Sequence, residues 1–125
     1  MLVAVFRRRL KEGASFDDFI AAWEADQGFG VPARVFNAVS LTDDREILSV
    51  GFLDIDAAAL ADLAAEVSEQ EAVRHARIDE VIESTELRAF YHLRTEHDFS
   101  FDPRQIDLNS AESLLANLLS RASGT

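Results

Sequence analysis

The sequence predicts an α+β domain with the element order β-α-β-β-α-β, and three observations carry that prediction. Apolar, β-branched and aromatic residues gather into runs of strand length at 2–10, 33–42, 45–55 and 86–95. After the first and the third run, apolar residues recur instead at helical spacing. Glycine, proline and paired aspartates separate the runs, where turns need them.

The first run, "LVAVFRRRL", stops at "KEGAS". Ser15 then stands where a helix N-cap belongs, with Asp17 and Asp18 in a first turn that favours negative charge. Phe16, Phe19, Ile20 and Trp23 form the apolar stripe of the helix "SFDDFIAAWEADQ". "GFGVP" ends it, with Gly28 as the expected C-terminal cap and Pro32 preventing resumption. "ARVFNAVSLT" and "REILSVGFLDI" flank "DD" and read as a hairpin. Asp56 is placed to cap "AAALADLAAEV", and Ser68 to start a further helical stretch to about Ile82. "ELRAFYHLRT" is the fourth strand. This is the ferredoxin-like order, in which four antiparallel strands form one sheet and the helices cover one face. The domain is expected over residues 1–98. From Glu96 the chain reads as an irregular arm blocked by Pro103, and residues 99–125 end in a short helix with a stripe of Leu114, Leu115, Leu118 and Leu119 and Gly124 as its cap. A helix this short is marginal alone, so the arm is expected to dock at or near an assembly interface.

Composition narrows the function. Among 125 residues, 23 acidic side chains against 12 basic give a formal net charge of −11, which disfavours nucleic acid and anionic membrane surfaces as partners. The chain has no cysteine, which excludes disulfides and thiolate metal sites. No run approaches the ~20 apolar residues of a membrane span, and the N-terminal apolar run precedes its basic residues, the reverse of a signal peptide. A cytoplasmic protein is the expectation.

The strands are apolar on both faces. Leu2, Ala4 and Phe6 oppose Val3 and Val5; Phe36 and Ala38 oppose Val35, Val39 and Leu41; Ile47 and Leu53 oppose Leu48, Val50 and Phe52. Strands of this kind are buried on both sides, yet the helices cover one, so a second copy of the sheet is the expected cover. In this the sequence resembles the dimeric α+β barrel superfamily, which includes antibiotic-biosynthesis-monooxygenase-like and stress-responsive barrel domains. The resemblance spans about residues 1–98 and is one of architecture. It implies a homodimer with sheets face to face, and a ligand between the sheet and the helices of one subunit. Members include cofactor-independent monooxygenases, haem-degrading enzymes and small isomerases.

His75 is the candidate acid or base. At about 100° per residue, Glu71, His75, Ile78 and Ile82 share one side of their helix, with Arg74 beside them, so His75 borders the helix–sheet cleft. The competing reading is a half-buried imidazole hydrogen-bonded to Glu71. Glu71, His75 and Asp79 at i, i+4 and i+8 drift around the helix, and Arg74 and Arg77 can occupy the carboxylates, so no metal site is expected. Trp23, Asn37, Arg74 and Tyr91 are the candidate ligand-binding residues: an indole, an amide, a guanidinium and a phenol around an apolar cleft suit a small apolar or aromatic compound. Core packing is the alternative for Trp23. Arg7, Arg8 and Arg9, with Arg88 or Arg94 near them on the neighbouring strand, can hold a ligand carboxylate or make surface ion pairs, and ion pairs are the expectation. Phe29 is placed for a gate or an interface. No cofactor fingerprint and no nucleophile–base motif is present, so no bound cofactor is expected. Two classes of function remain open: an enzyme acting on a small apolar compound, and a non-catalytic dimeric binding domain.

Overall fold

The structure is a computed structural model that describes residues 1–23, 27–108 and 112–122, the side chains of 120–122 excepted. β1 (Leu2–Leu10) leads through a tight turn, with Gly13 at φ 85°, into α1 (Phe16–Trp23). Ser15 and Asp18 cap α1 reciprocally: the Asp18 N–H donates to Ser15 Oγ at 3.2 Å, and the Ser15 N–H to Asp18 Oδ2 at 2.8 Å. β2 (Ala33–Val39) and β3 (Glu46–Leu53) form the hairpin, its loop held by Asp43 Oδ1 accepting from the Arg45 N–H. α2 (Leu60–Glu66) and α3 (Ser68–Asp79) precede β4 (Ile82–His92). The sheet order is β2-β3-β1-β4, all antiparallel, with the helices on one face. Among the described residues no helix is long and apolar enough to cross a membrane.

Several local expectations change. Asp56 precedes a 3₁₀ turn over Ala57–Ala59, and its side chain makes no cap bond. Ser68 does not cap α3; its hydroxyl donates back to the Ala65 carbonyl at 3.0 Å, and Val67 (φ −100°, ψ 4°) is the bend between α2 and α3. Ile82 is not helical. α3 closes with a tight turn at Glu80 and Val81, and Ile82 opens β4 opposite Leu10, where it is buried. A β-branched residue gains more from that ladder and core position than from one more helical turn. The left-handed glycine is Gly30, not Gly28; residues 24–26, the expected end of the first helix, lie outside the described residues, as does Gly124.

The arm is regular. β5 (Glu96–Asp98) and β6 (Arg104–Ile106) form a second hairpin, with Asp98 Oδ1 accepting from the Ser100 N–H at 2.9 Å and Pro103 just ahead of β6, outside the ladder. α4 (Leu114–Ala122) follows. Glu96 holds the start of α4: its carboxylate accepts from Ser113 Oγ and from the N–H groups of Leu114 and Leu115 at 3.0–3.3 Å, at the helix end where negative charge is favoured. Arg34 Nη1 donates to the Leu118 carbonyl at 3.3 Å, which ties α4 to the edge strand β2 of its own chain. Leu119 is buried, while Leu114 stays exposed.

Candidate functional site in the helix–sheet cleft

The inner face of the sheet is filled at one end and hollow at the other. At the filled end Leu10, Phe19, Ile47, Ile78 and Ile82 make a solid core. Toward the other end, the register aligns Val35, Gly51, Ala4 and Phe90 across the four strands. Two central positions of that row carry a hydrogen and a methyl group, too little to reach the helices above. A Cβ built on Gly51 would already stand 3.4 Å from Val35 and 3.8 Å from Ala4. The result is a cavity of about 470 Å³, floored by Ala4 and Gly51 and roofed by Leu63, Val67, Ala72 and neighbours from α2 and α3. A space of that size, mostly apolar with a few polar groups, is what a small-molecule site requires.

The polar groups converge on one wall. His75 Nε2 lies 3.2 Å from Glu71 Oε2, one helical turn away. Arg74 grips the same carboxylate with Nε (3.1 Å) and Nη2, and its guanidinium carbon stands 4.4 Å from the Trp23 ring centroid. Burial pushes the Glu71 carboxyl up, but the hydrogen bonds and charge of His75 and Arg74 outweigh it and hold the pKa at about 2. Glu71 is therefore a fixed anion. With Nε2 donating to that anion, Nδ1 is the ring nitrogen left to take a proton, the arrangement by which a carboxylate orients a histidine base. The His75 ring meets Phe6 edge-on at 6.3 Å.

The sequence-predicted residues divide. His75, Arg74 and Trp23 all line the cavity, as does Phe29. Asn37 is on the inner face but one row away from the hollow: its Oδ1 accepts from Ser49 Oγ at 2.6 Å, and Ser49 Oγ in turn accepts from Arg8 Nη1 at 3.4 Å. Tyr91 pairs with Val3, which puts it on the opposite face of the sheet, so it does not meet His75. The spacing of β4 carries the correction, since inward residues alternate and the inward ones here are Arg88 and Phe90.

The arginine triplet also divides. Arg7 pairs with Glu86 at 3.2 Å, and Arg9 with Asp43 at 2.7 Å and Glu83 at 3.8 Å. Arg8 points inward, is buried, and packs its guanidinium over Phe6 at 4.7 Å. Burial foremost, then the like charges of Arg74 and Arg88, push its pKa down from 12.5 to about 10, which still leaves a cation at neutral pH. Residues missed from sequence, chiefly Phe6 and Phe90, follow from strand register, as does the inward placement of Arg88, which the sequence alone puts only near the arginine triplet; the two small residues Ala4 and Gly51 amid large apolar neighbours were the available sign of a hollow.

No family model matches the chain, and no curated protein does. A solved structure does: a protein of Chloroflexus aurantiacus J-10-fl, provisionally described as an antibiotic biosynthesis monooxygenase, with a TM-score of 0.56 at 17% identity, covering 78% of this chain and 96% of that one. At that identity the likeness is one of fold: the two chains share a ferredoxin-like α+β architecture.

Proposed function

We propose that this protein binds a small, largely apolar, aromatic compound in the cleft and acts on it as a cofactor-independent monooxygenase-like or isomerase-like enzyme, working as a homodimer through the outer faces of its sheets. The observation that carries the reading is the Glu71–His75 pair on the wall of an apolar cavity of about 470 Å³. An imidazole oriented by a fixed carboxylate can take a proton from an acidic C–H of a bound ring system. An isomerase returns that proton elsewhere on the substrate. A monooxygenase without a bound cofactor must draw its electrons from the substrate, so a CH₂ group and O₂ become a carbonyl and water. The fold neighbour's description supports the second course.

The test uses oxygen uptake and product analysis with a panel of fused-ring phenols under air. Wild type is compared with His75→Ala and with Ala4→Leu, which fills the cavity floor. Turnover that falls at least ~100-fold in His75→Ala, against a stability loss of about 1 kcal/mol, supports the enzyme. A second reading, a non-catalytic binding domain, is favoured by Arg74 being locked between Glu71 and Trp23. Tight binding blocked by Ala4→Leu but indifferent to His75, with no product, would establish that reading instead.

A further inference from the structure

The cleft holds more positive charge than its own carboxylates balance. Among the residues that line the cavity, Glu71 is the sole carboxylate, and Arg74 and His75 already occupy it. Arg88 also lines the cavity, at its exposed rim, with its guanidinium carbon 5.5 Å from the Phe6 ring centroid and no carboxylate within ion-pair distance among the described residues. Arg8 lies behind Phe6, only 3% exposed, and among the described residues its hydrogen bond runs to the neutral hydroxyl of Ser49. Three guanidinium groups thus surround Phe6 and Trp23; Glu71 is the carboxylate that lines the cavity, and Asp79 adds a negative charge that Arg8 feels through space.

This is no shortage of acid. The chain carries a net charge of −11, and Arg7, Arg9 and Arg45 at the other face and the rim each hold a carboxylate. Arg8 is the buried cation and has Asp79 and Glu71 only as through-space counter-charges, while Arg88 at the exposed rim has no ion-pair carboxylate among the described residues; an arriving anion stabilises both. Phe6 supplies the other half of the recognition, an aromatic surface flanked by His75 and Phe90 edge-on.

Building on the cleft reading above, we infer that the compound it takes is an aromatic carboxylic acid, whose ring system lies in the apolar hollow and whose carboxylate pairs with the fork of Arg88. Arg74 and Arg8 add a positive field behind it. Arg88 here is a binding residue that fixes which end of the ligand enters, and its planar fork matches a carboxylate in a way that an ammonium does not.

Calorimetric titration with 1-naphthoate and with 1-naphthamide separates charge from shape, since the two share their rings. Wild type should bind the acid about tenfold more tightly than the amide, the scale of one charge-assisted hydrogen bond near a surface. Arg88→Gln should erase that preference by lowering the affinity for the acid about tenfold and that for the amide far less, and Arg88→Lys should restore part of it. Melting temperatures of both variants should stay close to wild type, because Arg88 is exposed and its one ring contact, with Phe6, is a long one at the cavity rim. Equal binding of acid and amide by wild type overturns the inference and leaves the cleft reading intact. Failure of both compounds to bind overturns the cleft reading, and the inference with it.

Discussion

The two faces of the one sheet are both apolar, yet they are built for different occupants. The inner face places Ala4 and Gly51 at its centre, surrounds the hollow with His75, Glu71 and arginines, and buries its large aliphatics at the far end. The outer face is a layer of Val3, Val5, Phe36, Leu48, Val50, Phe52 and Tyr91, all large apolar or aromatic, and Phe36, Leu48 and Tyr91 are well exposed in the single chain. Side-chain size makes the difference. Small residues under a helical roof leave room for a ligand, whereas an even layer of large ones offers shape complementarity to another even layer. Under the homodimer reading proposed above, a second copy would present the same layer to this face in self-complementary form.

The sharpest way to break that comparison is to charge the outer face. Val50 is central on the outer side of β3, beside Val5 and Phe36. Wild type should scatter light at micromolar concentration as twice its 13.9 kDa chain mass. Val50→Asp would bury two unpaired carboxylates per dimer at roughly 2–3 kcal/mol each, weakening association by about a thousandfold or more. The variant should run as a monomer with its cleft intact. A wild-type monomer at the same concentration would leave the outer face without its explanation.

Much of this was legible in the sequence because periodicity and capping act locally. Two-sided apolar strands, the Ser15–Asp18 cap and the helical stripe of Phe16, Phe19 and Trp23 all follow from the chain's own chemistry. What escaped depends on partners distant in sequence. Ile82 joins β4 because Leu10 lies opposite, and residues 96–106 form a hairpin because Arg104 answers Asp98 across it. Glu96 has a role only once α4 arrives to be capped, eighteen residues later. In the site, His75, Arg74 and Trp23 could be placed from helical spacing, since α1 and α3 each turn one face to the sheet. Tyr91 and Asn37 could not, because the pairing register with β1 and β3 decides which β4 and β2 side chains reach the hollow.

A smaller effect belongs to the inner face and its one anion. Because the folded-state pKa of Glu71 is held at about 2, below its ordinary 4.5, the stability it contributes is complete above 4.5 and is lost as pH falls toward 2. Urea midpoints of wild type and Glu71→Gln should therefore differ at pH 7, where the glutamine leaves Arg74 and His75 without their carboxylate. The gap, on the order of a few kcal/mol, should narrow as pH drops from 4.5 to 2. A gap independent of pH would mean that Glu71 matters for packing and not for its charge.

The smallest expected effect falls on Tyr91, and it discriminates between the faces most directly. An aromatic phenol near a histidine invites a catalytic reading, and the residue types alone support one. Pairing with Val3 turns Tyr91 to the outer face, about half-exposed at 49%, while Phe90 beside it turns inward to the cavity. The hydroxyl has no hydrogen-bond partner among the described residues, so removing it strands no polar group. Tyr91→Phe should change stability by no more than about 0.5 kcal/mol and leave 1-naphthoate affinity within about twofold of wild type. Trp23→Phe, on the inner side and under Arg74, should lower that affinity severalfold by shrinking the aromatic wall and its cation–π contact. Calorimetry on the two variants checks the pair. A tenfold loss in Tyr91→Phe, with Trp23→Phe unaffected, would mean that ligand enters between the sheets of two subunits and not beneath the helices of one.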